Sequence, residues 1–131
     1  MNKLEAKVTS IDSLENLTIV QFKFNETTLS MMSLGLSNIK IGSKVFLNVN
    51  SSHIAIAKNL KGEISLSNQF ECTIQKLTKG ELLSSLILNY QGSILTSIIT
   101  TNSLIRMNLR QNDKIIALIK ASDLSIQEII E

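Results

Sequence analysis

The sequence has no tryptophan and no proline, one cysteine, one histidine and only 4% aromatic residues. A single Cys72 excludes an internal disulfide and fits a reducing compartment. The lone His53 has no Ser or Cys partner motif and reads as a structural or surface histidine. No Cys/His cluster offers metal-cation spacing, and there is no Walker phosphate loop or dinucleotide glycine fingerprint. Without a catalytic constellation, the chain is expected not to be an enzyme. Charge of one sign is also missing: 13 basic and 11 acidic side chains leave a net +2. That is too balanced for a nucleic-acid or acidic-membrane surface. No apolar run approaches bilayer length, and the polar start Met1–Lys7 has no apolar core, which predicts no signal peptide. A soluble, cytoplasmic protein without membrane insertion is expected.

What is present points to strands. Apolar residues make up 44% of 131 and charged ones 18%, enough for a core and too little charge for disorder. β-Branched residues are abundant and alanine is scarce. Ala6–Ile11 is a predicted first strand. Leu17–Phe24 follows, with Val20, Phe22 and Phe24 alternating against Gln21 and Lys23. Asn25-Glu26 is a tight turn. Gly42-Ser43 precedes the strand Val45–Val49, and His53–Ala57 alternates again.

The second half repeats this plan. Asn2–Val8 lines up with Asn68–Ile74 at an offset of 66, and Val20, Phe22 and Phe24 fall on Leu86, Leu88 and Tyr90. Cys72 takes the place of Ala6, so it reads as a small core residue. Beyond the hairpin the offset becomes 70, pairing Ser33-Leu34 with Ser103-Leu104, Asn38 with Asn108, Lys44 with Lys114, Ser52 with Ser122 and Ile56 with Ile126. Identities at polar positions are not produced by apolar patterning, so they mark a duplication. The expected fold is all-β: two tandem OB-like five-stranded barrels, residues 1–60 and 61–131, each with one short helix. In the second copy that helix begins near Thr100 to Ser103, residues that cap helix starts, and runs through Met107. The joint, Lys58–Ser67, is short, so the copies should sit close together. Each unit is small enough to need its twin, or further copies, to bury its apolar surface.

Three polar groups carry the chemistry: Ser65-Leu66-Ser67-Asn68-Gln69, Ile99-Thr100-Thr101-Asn102-Ser103 and Ile119-Lys120-Ala121-Ser122. Each supplies hydroxyls, backbone N–H groups or an ammonium, the directional donors that an oxyanion needs. On the residues alone, capping and turn chemistry is the favoured explanation of all three groups.

The run Thr96–Ser103, then Asn108-Leu109, then Ile115–Leu124 resembles the molybdenum-pterin-binding (Mop) domain, a relative of the TOBE domain. That family shows an I-T-x-x-S segment, a Leu-rich turn and a terminal I-K-A-S. Ser65–Gln69 resembles its opening S-A-R-N-Q. The resemblance covers Ser65–Ile126 well and Asn2–Ala57 more weakly, in the manner of the related domain that ends molybdate-transporter ATPases. It implies a tandem molbindin that binds molybdate or tungstate at subunit interfaces, with no organic cofactor. Tandem members of this length form homo-oligomers, trimers in preference to dimers. Carried over by position, the oxyanion donors are Ser65, Ser67 and Asn68; Thr100 and Ser103; and Lys120, Ala121 and Ser122. The first-copy counterparts are Ser30 and Ser33, and Asn50, Ser51 and Ser52. Two departures stand out. The family's opening Arg is Ser67 here, and Asn50 stands where the second copy has Lys120. The first copy therefore either completes a shared site or forms an uncharged one.

The resemblance implies storage, buffering or delivery of the anion. A sensing module that docks on a transporter or transcription factor, or a partner in cofactor synthesis, is a second reading. A third, a nucleic-acid-binding OB domain, needs exposed aromatics in a basic groove. Here Phe22, Phe24 and Tyr90 fall on inward positions, so no nucleic acid is expected.

Overall fold

Alternation of apolar and polar residues builds nearly every element of the computed structural model, which describes residues 2–36 and 38–130. The first copy contains β1 (Asn2–Leu14), β2 (Leu17–Phe24), β3 (Thr27–Leu34), β4 (Lys44–Val49) and β5 (Ala55–Ala57). The second contains β6 (Asn68–Lys79), β7 (Leu83–Tyr90), β8 (Ser93–Thr100), α1 (Thr101–Arg106), β9 (Lys114–Ile119) and β10 (Ser125–Ile129). Single 3-10 turns, Ser51–His53 and Ala121–Asp123, precede the last strand of each copy. In β1, Leu4, Ala6 and Val8 are buried while Lys3, Glu5 and Lys7 face solvent, the period-two pattern of a half-buried strand. Among the described residues no helix is long and apolar enough to cross a membrane.

The duplication extends to backbone detail. β1 bulges between Val8 and Ser10, and β6 between Ile74 and Lys76. Each bulge is pinned by the loop before the fourth strand of its copy. The Gly42 and Asn112 N–H groups donate to the Val8 and Ile74 carbonyls at 2.8 and 2.7 Å. Gly42 and Asn112 both adopt positive φ, 94° and 75°, a conformation that glycine and asparagine reach most cheaply.

Several expectations are corrected here. The first strand is longer than Ala6–Ile11, because its start pairs with β4 and its end with β2. His53 lies in a 3-10 turn, and only Ala55–Ala57 of the predicted His53–Ala57 strand is extended. The offset of 66 holds through β3 and β8, so the four extra residues fall at α1, beyond the hairpin strands. Ser30 and Ser33 are thus equivalent to Thr96 and Ile99, not to Thr100 and Ser103. An α-helix forms in the second copy alone among the described residues; the corresponding stretch of the first passes through Gly35 at φ 68°.

Sheet pairing crosses the repeat boundary. The two sheets run β10-β4-β1-β2-β3 and β5-β9-β6-β7-β8. Each copy lends its last strand to the other: β5 pairs with β9, and β10 with β4. The result is a tandem OB-like fold whose two curled five-stranded sheets are interlocked. One buried cluster runs through both, from Leu4, Phe22 and Leu47 to Ile74, Leu88 and Ile119. Phe24 and its repeat equivalent Tyr90 meet at 5.3 Å between ring centroids, and Phe70 packs against both at 5.9 and 4.9 Å. Such pairs add about 0.5–1.5 kcal/mol each beyond area burial. All three rings are at most 5% exposed, so they form core and offer no platform for stacking bases.

Candidate functional site

The first strand of each copy opens on an asparagine that reaches into the other copy. Asn68 accepts from the Ser30 N–H at 2.7 Å and donates to the Ser30 carbonyl at 3.0 Å. Asn2 treats Thr96 alike, at 2.7 and 2.9 Å. Ser30 and Thr96 are equivalent by repeat. The two clasps therefore relate by an approximate twofold axis, since each copy does to the other what the other does to it. β3 and β8 are sheet edges, and the clasps satisfy backbone groups that no further strand covers.

These clasps define two equivalent ends. At one, Asn68 pairs in register with Ile119, which brings Ser67 alongside Lys120. The Ala121–Asp123 turn follows and packs on β3 of the other copy. Lys120 is exposed, Ala121 half-buried and Ser122 exposed. This end thus gathers Ser67, Asn68, Lys120, Ala121 and Ser122 against Ser30. At the other end, Asn2 pairs with Val49, and Asn50, Ser51 and Ser52 follow against β8. Buried Ser51 lies 3.4 Å from the Asn2 amide nitrogen. The two ends differ in charge, with Lys120 on one and Asn50 on the other.

Thr100 and Ser103 go elsewhere. Thr100 caps α1, accepting from the Ser103 N–H at 3.2 Å, and its hydroxyl donates to the Ser103 hydroxyl at 3.0 Å. Arg106 Nη2 donates to the same hydroxyl at 3.2 Å. They continue the strand that Asn2 clasps, away from Lys120. Ser33, on β3, is half-buried and pairs with Thr18. Ser65 is exposed in the segment before β6, which Gln69 braces by donating to the Leu66 carbonyl at 2.8 Å. Asn68 is fully buried and both polar atoms of its amide are committed to Ser30, so its contribution is to hold β3 in place.

Two residues emerge that repeat matching did not single out. A cleft of about 220 Å³ is lined by Asn48, Asn50, His53, Ser122, Asp123 and Ser125, among others. His53 and Asp123 occupy equivalent repeat positions, and Nδ1 of one lies 3.8 Å from Oδ1 of the other. The offset of 70 pairs them in the sequence, yet nothing there says that the two turns face each other. Cys72 behaves as core: burial, chiefly, pushes its thiol up to about 12, which removes it as a nucleophile at neutral pH.

Residues 64–126 match the family model of the TOBE domain. No protein with a curated description matches the chain by sequence. Among solved structures, the chain is similar to the cytoplasmic molybdate-binding protein ModG, crystallised with molybdate bound. The TM-score is 0.87 at 18% identity, over 95% of this chain and 94% of that one. It also matches a molybdate-binding protein from Sporomusa ovata at 33% identity, over 46% of this chain and 90% of that one, with a TM-score of 0.45. The second half of the chain is thus a TOBE domain, and the same strand plan repeated before it gives the chain a tandem form.

Proposed function

We propose that the protein binds molybdate, or its near-isostere tungstate, without chemically transforming it, and serves intracellular storage, buffering or delivery. The observation that carries this reading is the register Asn68 to Ile119. It sets Ser67, Lys120, Ala121 and Ser122 at one end of a ladder. These residues offer hydroxyls, backbone N–H groups and one ammonium, the donors that a dianion needs. Donors of this kind hold an oxyanion through charge-assisted hydrogen bonds. Lys120 supplies the charge, Ser67 and Ser122 the hydroxyls, and Ala121 the backbone N–H. Ser65, two residues before Ser67, is exposed and adds a further hydroxyl in this reading. Thr100 and Ser103 stand apart within one chain, so they join such a site only from a neighbouring copy.

That geometry favours a homo-oligomer, a trimer before a dimer. The outer faces of the edge strands support it: Met32 and Leu34 on β3 and Ile94 and Ile98 on β8 are 36–77% exposed. Both edge strands thus carry exposed apolar side chains, with Met32 and Ile98 at the same repeat position, which suits self-contact. Native mass spectrometry with added molybdate tests the whole reading. Trimers carrying discrete anions support it, and monomers without anions refute it. A pull-down with and without molybdate separates storage from sensing through a partner.

A further inference from the structure

Three lysines stand in a row across the outer face of the first copy's sheet. Lys7 on β1 lies directly opposite Lys23 on β2 and opposite Lys44 on β4. Residues paired across a ladder share one side of the sheet, and all three are exposed. The loop before β4 fixes the alignment. There the Val8 N–H donates to the Ser43 carbonyl at 2.9 Å and the Val8 carbonyl accepts from Gly42 at 2.8 Å. Like charges set opposite each other on neighbouring strands destabilise a sheet. Among the described residues the ion pairs join His53 to Asp123 and Lys58 to Asp113, and neither offsets the row. A local arrangement that works against the fold is a mark of a functional position.

The three lysines line one cleft of about 250 Å³, with Glu5, Ala6 and Asn25. The second copy carries the equivalent cleft, lined by Glu71, Cys72, Thr73, Asn89 and Gln91 among others. At the offset of 66, Thr73 and Asn89 stand where the first copy has Lys7 and Lys23, and Glu26 joins Glu71 on that lining. The fold therefore forms this cleft without the lysines, and the row is peculiar to the first copy. Its charge is also local. The next rung of the ladder is Glu128, Phe46 and Glu5, so no basic track runs on along the face for a nucleic acid or a membrane.

We propose that this cleft binds a compact polyphosphate, a di- or triphosphate chain either free or carried by a nucleotide. Lysine serves phosphate as a point charge. Adjacent strands lie about 4.8 Å apart, so the outer two lysines spring from strands about 10 Å apart. An anion whose charges are strung along a chain matches such a row better than a single tetrahedral oxyanion does. Bound there, it also cancels the repulsion between the lysines, so binding should stabilise the fold. The site is separate from the molybdate reading: β1, β2 and β4 share one sheet, whereas Lys120 follows β9 in the other.

The duplication supplies the test. Lys7→Thr and Lys23→Asn install the second copy's own residues, which the same strand geometry already accommodates. Calorimetry and thermal denaturation of the full chain are followed with inorganic triphosphate. The wild type is expected to bind it saturably and to melt higher with it. Each single variant should bind roughly tenfold more weakly, the scale for losing one charged hydrogen bond, and K7T/K23N should show no thermal gain. Without triphosphate, at low salt, both variants should be at least as stable as the wild type, because they relieve like-charge contacts. Unchanged affinity in K7T/K23N overturns the site. An equal loss in Lys76→Gln, an exposed lysine on β6, makes the effect one of net charge and overturns it too. So does displacement of triphosphate by molybdate but not by sulfate at equal ionic strength, which assigns the anion to the Lys120 end. ATP in place of inorganic triphosphate distinguishes the sources: tighter binding identifies a nucleotide, and weaker binding the free chain.

Discussion

The Asn68 side chain holds Ser30 by both backbone groups, at 2.7 and 3.0 Å, with no solvent access. Asparagine alone among side chains of this length offers a donor and an acceptor from one planar group. Asn68→Ala leaves the partly buried Ser30 N–H and carbonyl unpaired and is expected to cost about 2–4 kcal/mol. Asn68→Asp, which cannot donate to the carbonyl, should also destabilise. Urea denaturation of both variants checks this, and a change below about 1 kcal/mol would contradict the clasp.

The exchange of β5 and β10 has an unusual consequence for truncation. Ending the chain after Leu124 removes β10, which belongs to the second copy in sequence but pairs with β4 of the first. Hydrogen exchange should then quicken at Val45–Asn48 while β9, backed by β5 and β6, keeps its protection. Faster exchange confined to β9 would contradict the strand exchange.

Lys58, just beyond β5, ties the linker to the second copy. Its ammonium donates to the Met107 and Asn108 carbonyls at 3.2 and 3.0 Å and lies 3.2 Å from Asp113. The Arg110 N–H, first, and then Lys58 hold the Asp113 carboxyl below its ordinary value of 3.8. A lowered folded-state value stabilises above the unfolded value and loses that contribution as pH falls through the folded one. The margin of wild type over Asp113→Asn should therefore be constant at neutral pH and shrink below about pH 4. Denaturation at pH 7, 5 and 3 measures it, and a margin that grows on acidification would contradict the assignment.

Cys72 should resist thiol reagents in the native protein. Its thiol is 2% exposed and pushed up to about 12, so thiolate is scarce at pH 8 and unreachable. Rapid colorimetric labelling in guanidinium and negligible labelling without it is the expected result. Fast native labelling would place Cys72 at the surface.

Much of this architecture was legible in the chain. The alternation of Val20, Phe22 and Phe24 located β2 to the residue, because one buried face imposes period two on every position. The duplication was readable from Asn2, Asn38, Lys44 and their partners. The exchanged strands were not, because β5 and β10 follow equivalent turns and local sequence does not say which sheet a strand joins. The helix was placed correctly in the second copy, where Thr100 caps it. It was wrongly extended to the first, where Ser33-Leu34 matches Ser103-Leu104 in letters but lies within a strand. At the site, the register of Asn68 with Ile119 drew Ser67 and Lys120 together. The separation of Thr100 and Ser103 came from the fold alone, as did the meeting of His53 and Asp123.

The central claim is an oxyanion site whose charge comes from Lys120. Titration calorimetry of wild type and Lys120→Ala with molybdate, with sulfate as comparison, tests it most directly. The account expects saturable molybdate binding that weakens by about 1–3 kcal/mol in the variant, the scale for losing a charged hydrogen bond. Equal affinity in the two proteins, or no heat from the wild type, would contradict it.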